Sequence, residues 1–494
     1  MATRLDELMK FRREKIARLR ELGINPYPSV SRKDFTNGEA IGHFEQFENK
    51  TVSLAGRLVS FREHGKVSFG QIQDEKGKIQ LFIREDLLAG TNKELQTIGY
   101  NDLELIDVGD FVQALGKIVK TKTGEISIEV VEVRIIGKSM RPLPSEWHGL
   151  KDIEERYRKR YLDLLLNPEA RKRFDIKTKI FKETRNYLDG IGFTEVETPI
   201  FHPIYGGANA KPFKTHVNAL DSDVYLRIAF ELYLKRLVVG GYDKVYEIGR
   251  DFRNEGIDQT HFPEFTMLEW YETYADYFRV MEVTEGLVRH LATKIFGDTK
   301  MMVGETVVDV GEPWSRIAMT DLIKERLGLT VVDMDVSQLT EYAKKERLEL
   351  VGGESKGQLI FIIFDEKISK SLIQPTWVID YPVEVSPLSK AHRSKSGFVE
   401  RFECYIGGRE MFDGWSELTD PTEQRARFES DVLAVRKKTD EAQAVDEDYL
   451  EAMEYGMPPI GGIGVGMERL AMFFNNLWLI RENILFPTLR PKSD

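Results

Sequence analysis

The sequence predicts an α+β chain of more than one domain, with a small five-stranded β-barrel near the N-terminus and one larger α+β unit after it. Three observations carry this. Residues from about 50 to 140 hold short alternating apolar runs broken by Gly-containing turns. The segment "RPLPSEWHGL" then breaks the pattern, because proline cannot continue a strand. Beyond it, helical periods and alternating segments interleave up to residue 494, a length ample for a second core.

Residues 1 to about 30 read as a helix ended by Gly23 and "NPYP". It is charged throughout and lacks the apolar stretch of a signal peptide. Its arginines and lysines allow two readings: an ordinary solvated helix, or a basic arm against phosphates. "TVSLAGRLVSFREHGKVSFGQIQDEKGKIQLFIRE" gives three strands with turns at "EHGK" and "DEKGK", and "DFVQALGKIVKTKTGEISIEVVEVRIIGKS" gives two more. Five short strands in this space suit a closed barrel of the oligonucleotide-binding (OB) type. Phe69 with Arg62, Lys66 and Gln80 is a candidate base-stacking set. On the barrel pattern alone, Phe69 is better read as core. The boundaries are set at 1–48 for the helix and connector, 49–141 for the barrel, 142–150 for a linker and 151–494 for the larger unit. Within that unit "RKRFDIKTKIFKETRNYLDGIG" is helical by period and "TEVETPIF" is extended up to Pro199. A stretch near 320–372 reads as inserted helices.

The formal charge is −11, which argues against a surface that is basic throughout but permits a local basic patch. The single cysteine, Cys404, excludes a disulfide framework within the chain and suits a reducing cytoplasm. No apolar run approaches the length of a membrane span.

Four segments carry chemistry. In "YEIGRDFRNEGIDQTHFPEFTMLEWY" two alternating runs flank a polar loop, so a hairpin presents Arg253, Phe265, Glu269 and Tyr271 on one face. Arginine suits a phosphate and Phe265 a flat base, while Glu255 and His261 lie in the loop. In "FECYIGGREMFDGWSEL" the Gly407-Gly408 turn pairs Tyr405 with Glu410, so Glu403 and Glu410 share a face. Two such carboxylates need a cation, and Mg²⁺ is the natural guest beside phosphates. Simple alternation puts Asp413, Trp415 and Glu417 on the opposite face, so the strand is expected to bulge or break at Gly414. In "GGIGVGMERLAMFF" glycines lead into a helix with Arg469 in its early turns, a place that favours anions. "RIAFELYLKRLVVGG" places Glu231 near a helix start. Taken singly, each acid is equally well explained as a solvated side chain.

Together these segments resemble the signature motifs of class II aminoacyl-tRNA synthetases. The helix with "TEVETPIF" and Pro199 resembles motif 1, "DFRNEG" with "HFPEFTMLEWYETYADY" motif 2, and "GIGVGMERL" motif 3. Within the aspartyl, asparaginyl and lysyl subgroup, the runs "GGANAKPFKTH", "RNEGIDQTHFPEFTMLEWY" and "GGREMFDGWSEL" are most similar to the lysyl enzymes.

The resemblance implies a mainly antiparallel sheet flanked by helices, and a homodimer through motif 1. It implies ATP, L-lysine and tRNA(Lys) as substrates, Mg²⁺ bound with ATP, a cytoplasmic setting, and no membrane or DNA partner. Arg253 and Arg469 would act on the phosphates, with Glu255, His261 and Phe265 completing the ATP site. Gly207, Glu231, Glu269, Tyr271, Asp413, Trp415 and Glu417 would hold lysine. Glu403 and Glu410 would carry the metal. Arg62, Phe69 and Gln80 would read the anticodon, which reverses the core reading of Phe69. The chain departs from the family pattern at Asp413, Trp415, Phe230 and Thr260, where Asn, Phe, Pro and Arg are usual.

Overall fold

The computed structural model describes residues 4–144, 152–208, 210–386, 388–436 and 445–491, without the side chains of 431–436. The chain divides into two compact units, Met1–Gly149 and Leu150–Asp494. Most of the segment expected to be a linker, 142–150, lies outside the described residues.

In the first unit the helix Arg4–Glu21 stops where Gly23 takes a left-handed conformation, φ 75°. Leu19 and Ile24 enter the core of the barrel that follows. Arg12 is buried and donates to the carbonyls of Val108 (2.9 Å) and Arg141 (3.2 Å). Lys15 pairs with Asp107 at 2.8 Å. These two cations hold the helix to its own domain, which removes them from any phosphate-binding arm.

The strands are β1 (Thr51–His64), β2 (Val67–Gln73), β3 (Lys78–Arg84), β4 (Phe111–Lys120) and β5 (Ile126–Gly137). They close into a barrel in the order β1-β2-β3-β5-β4. Ile72, Ile79, Leu81, Ile83, Val112 and Ile128 point inward and are fully buried. Phe69 does not join them. It lies on the outer face, opposite Arg62 on β1 and Phe82 on β3, with ring centroids of Phe69 and Phe82 5.4 Å apart. Gln71 and Gln80 pair on the same face. The barrel-pattern reading of Phe69 as core is therefore corrected by its phase: in β2 the inward positions are Ser68, Gly70 and Ile72.

The second unit holds β6 (Thr194–Glu195), β7 (Phe201–His202), β8 (Lys214–Val217), β9 (Ser222–Leu226), β10 (Lys244–Phe252), β11 (Glu264–Thr273), β12 (Lys300–Val303), β13 (Thr306–Asp309), β14 (Ser315–Ala318), β15 (Thr376–Pro382), β16 (Phe398–Ile406), β17 (Arg409–Ser416) and β18 (Ile460–Gly466). Its main sheet has eight strands in the order β14-β15-β16-β17-β18-β11-β10-β6. It is antiparallel except for the β6–β10 and β14–β15 pairs. Alternation sorts its two faces. Tyr246, Leu268, Trp270, Phe402, Phe412 and Ile463 face a core shared with the helices Pro168–Gly190, Tyr277–Phe296 and Met467–Phe474. Glu247, Asp251, Glu269, Arg401, Glu403 and Asp413 of the same strands face the other way, toward the site.

Three helices, Met319–Leu327, Val336–Lys345 and Lys356–Lys367, build a separate apolar cluster beside β15 and β16. The last two start at capping boxes headed by Asp335 and Ser355.

The β16–β17 hairpin contains the expected irregularity, three residues earlier than expected. Tyr405 pairs with Glu410 and Cys404 with Phe412, so Met411 is the extra residue. Gly414 sits in regular register against Phe402 and Ile463. Its glycine answers a different need: a Cβ there would lie 2.5 Å from the Gly462 carbonyl oxygen. Because of the bulge, Glu410 before it and Asp413 and Trp415 after it share a face with Arg401, Glu403 and Tyr405.

Candidate active site

At one end of the site lies a buried acidic pocket. Glu231 opens the helix Glu231–Val239 and accepts a hydrogen bond from Lys235 Nζ, one helical turn on, at 2.5 Å. Lys235 is fully buried and also pairs with Glu417. Burial alone would discharge Lys235, but Glu231 and Glu417 hold its proton more tightly than in an ordinary lysine.

Glu417 Oε2 accepts from Trp415 Nε1 at 2.7 Å, while Oε1 is buried without a hydrogen-bonding partner. Burial lifts Glu417 to about 8, against the pull of Lys235. Tyr271 donates to Glu269 at 3.2 Å, and burial pushes Glu269 far above the usual carboxylate range. Glycines form the walls. A Cβ on Gly462 would lie 2.3 Å from the Tyr271 ring and 2.6 Å from Glu417 Oε1. Gly207, at φ 86°, backs onto Glu231.

The centre of the site is held by two arginines. Arg253 follows β10, donates to the Ile228 carbonyl at 3.3 Å and lies 5.1 Å from the centroid of the Phe265 ring. Arg401 forks onto both oxygens of Asp413 (2.8 and 2.9 Å), and reaches Glu403 at 2.7 Å. Asp413 is thus already engaged at both oxygens rather than free in the pocket. Tyr405 donates to the other oxygen of Glu403 at 2.5 Å. Burial pushes Glu403 up to about 8. Arg401 opposes this, and Asp413 and Glu410 reinforce it.

At the far end Arg469, on the helix Met467–Phe474, lies 3.4 Å from Glu410 and donates to His261 Nε2 at 2.9 Å. Arg469, His261, Glu403, Tyr405, Arg409 and Glu410 line a cavity of about 400 Å³. Glu255 lies in the loop but turns its carboxylate to the Lys211 backbone N–H at 3.3 Å. Among the described residues no three His, Cys, Asp or Glu side chains are grouped to cage a metal ion. A cation that takes few protein carboxylates and keeps its waters needs no such cage.

The fold therefore brings together Glu231, Glu269, Tyr271, Trp415 and Glu417 at one end, Arg253 and Phe265 in the middle, and His261, Glu403, Glu410 and Arg469 at the other. Arg62, Phe69 and Gln80 belong to the barrel unit. Sequence reasoning missed Lys235 and Arg401. Both had a signal: Lys235 follows Glu231 at helical spacing, and Arg401 shares strand parity with Glu403.

An antiparallel sheet that carries arginines, an aromatic ring and a buried carboxylate pocket, in a chain with an OB-type barrel, is the arrangement of an amino-acid-activating, RNA-binding enzyme class. The comparisons agree. The family model for class II tRNA synthetases (D, K and N) matches residues 152–490, and that for the OB-fold nucleic acid binding domain matches residues 52–136. The chain belongs to the class II tRNA synthetases of the D, K and N group. It is 48% identical over 493 residues to a lysine–tRNA ligase of Thermoanaerobacter sp. (strain X514), covering 99% of this chain and 97% of that one. It is 47% identical to the lysine–tRNA ligase of Carboxydothermus hydrogenoformans, covering 99% of each. The lysine–tRNA ligase of Bacillus mycoides is 44% identical, with 99% of this chain and 98% of that one covered.

Proposed function

We propose that the protein is a lysine–tRNA ligase, which activates L-lysine with ATP and transfers it to the 3′ end of tRNA(Lys). The observation that carries lysine as substrate is the buried, unpartnered Oε1 of Glu417, beside Glu231 and Tyr271. Lysine brings an ammonium to that oxygen. A neutral isostere would leave it unpaired, at a cost of about 1–3 kcal/mol or more. This discriminates better than an apolar pocket can.

Glu231, Glu417 and Tyr271 hold the side-chain ammonium, with Gly207, Glu269, Asp413 and Trp415 around the rest of the amino acid. Asp413 acts there through Arg401. Phe265 stacks on the adenine, and Glu255 and His261 border the nucleotide. The lysine carboxylate is already ionised and needs no general base. Its oxygen attacks the α-phosphorus, the O–P bond forms, and the bond to pyrophosphate breaks. Arg253 neutralises charge at the α-phosphate and Arg469 at the leaving phosphates. The terminal tRNA hydroxyl then attacks the lysyl carbonyl and AMP leaves.

Glu403 and Glu410 fit Mg²⁺. Both are oxygen donors facing the phosphate end, and Glu403 is crowded by Glu410 itself and by Asp413, a repulsion that a divalent cation relieves. Bound there, Mg²⁺ supplies charge neutralisation to the phosphates.

The barrel takes the anticodon on its Arg62, Phe69 and Gln80 face. A second copy pairs through the helix Pro168–Gly190 and the segment after it, where Ile200 and Phe201 are exposed in the single chain. The setting is the cytoplasm, consistent with the lone buried thiol of Cys404. Among the described residues no helix is long and apolar enough to cross a membrane.

Pyrophosphate–ATP exchange with each standard amino acid, ornithine and β-lysine tests this. Exchange with lysine alone is expected. Preference for another amino acid, or none with folded protein, would overturn it.

A further inference from the structure

The loop between β10 and β11 meets a triphosphate on this reading, yet after Arg253 at its start residues 254–263 contain no lysine or arginine and carry Glu255 and Asp258. His261 is the only side chain there able to become a cation, and its surroundings are specific. Asp258 Oδ1 accepts the backbone N–H groups of Thr260 and His261, each at 2.7 Å. Its Oδ2 lies 2.8 Å from His261 Nδ1. Across the cavity, Arg469 approaches His261 Nε2 at 2.9 Å. A guanidinium can only donate, so Nε2 carries the lone pair and Nδ1 carries the proton, given to Asp258. The imidazole is therefore neutral while it receives Arg469.

A triphosphate changes both partners. Arg469 turns its donors to phosphate oxygens, which leaves the Nε2 lone pair facing negative charge. That contact is repulsive unless Nε2 gains a proton. Once protonated, the ring donates to phosphate on one side and to Asp258 on the other. The remaining titratable groups lining the cavity are Asp365, Lys370, Glu403, Tyr405, Arg409 and Glu410. None of their side chains is within ion-pair or hydrogen-bonding distance of His261, whose side-chain partners are Asp258, Thr260 and Arg469.

We propose that nucleotide binding is coupled to proton uptake on His261, with Asp258 as the positioning residue that keeps Nε2 toward the phosphates. This rests on the assignment of the cavity as the ATP site. The proton comes from the buffer and stays on Nε2 while the nucleotide is bound.

The test is calorimetric titration of the full chain with a non-hydrolysable ATP analogue and Mg²⁺, without lysine. It is run at pH 7.5 in buffers of different ionisation enthalpy. Binding is expected to take up between about 0.5 and 1 proton per nucleotide. In His261→Asn and Asp258→Asn, whose exposed positions leave the fold intact, nucleotide still binds, more weakly, and uptake falls below about 0.2. Saturable binding with the same heat in every buffer would overturn the coupling and leave the ATP site standing. Uptake that persists in His261→Asn would place the proton elsewhere and overturn the assignment. No binding by calorimetry or by competition with a fluorescent nucleotide would overturn the ATP-site reading itself, and the coupling with it.

Discussion

The ammonium of Lys235 presses on one oxygen of Glu417, Oε2, and leaves the other, Oε1, buried without a hydrogen-bonding partner. On the proposed reading, that oxygen is the one that receives the ammonium of the substrate. Lys235 lies between Glu231 and Glu417, and its charge opposes the burial that lifts Glu417 to about 8.

Glu417→Gln removes the charge that faces the substrate. Lysine-dependent pyrophosphate exchange is expected to lose at least about 100-fold in kcat/KM, or about 2.7 kcal/mol. Lys235 also loses a buried partner, so urea unfolding should register a loss of about 3 kcal/mol. Exchange within fivefold of the parent protein would show that the substrate ammonium binds elsewhere.

Asp413→Asn has a milder expected outcome. Both Asp413 oxygens are taken by Arg401, which also holds Glu403 and the Val385 carbonyl. An amide oxygen keeps one of the two bonds. Stability is expected to drop by about 1–2 kcal/mol, and lysine activation to stay within about tenfold. A loss above about 100-fold would make Asp413 a principal ligand of the amino acid.

Asp251 gives a pH prediction. Both its oxygens are buried without a hydrogen bond: Arg227 Nε is 3.3 Å away but donates to the Arg250 carbonyl, and Nη1 donates to Glu247. Burial pushes Asp251 up to about 7, with Arg227 and Arg253 opposing and Glu247 adding. The folded state therefore binds the proton more tightly than the unfolded one. The favourable contribution is complete below the unfolded value near 3.8 and is lost as pH rises through about 7. Asp251→Asn removes that loss. Compared by urea unfolding at pH 6 and pH 8, the variant should gain about 1 kcal/mol or more on the parent protein at the higher pH. A gain at the lower pH instead would reverse the sign and refute the account.

Phe69→Ala separates the two units functionally. The ring is half-buried on the outer barrel face beside Phe82, so its removal leaves no hole in the barrel core. Loss of a stacking surface is expected to cost about 1–3 kcal/mol in tRNA charging, carried mainly by KM for tRNA, with pyrophosphate exchange unchanged. Equal loss in both assays would mean that the substitution damages the fold.

Much of this was legible in the sequence because two periods did the work. Alternation fixed the hairpin that carries Arg253, Phe265, Glu269 and Tyr271, and the Gly407-Gly408 turn fixed the pairing of Tyr405 with Glu410. What alternation cannot report is a change of phase. The bulge at Met411 was therefore expected at Gly414, the residue with the obvious backbone freedom. Pairing of charges across elements was also hidden. Arg401 and Lys235 neutralise acids that sequence reading left for ligands. Phe69 was ambiguous for a related reason: an alternating strand announces two faces but does not say which one is inside.

The bulge also bears on how such a protein can diversify. Met411 divides one short strand into two stretches with different clients. Glu410, before it, pairs with Arg469, whereas after it Asp413 binds Arg401 and Trp415 binds Glu417. On the proposed reading, replacement of Trp415 reshapes the amino-acid end, while Asp413 stays tied through Arg401 to Glu403. A group that covers three amino acids, D, K and N, on one fold is what such a partition allows. The departures at Asp413 and Trp415 both fall after Met411, and Glu410 falls before it.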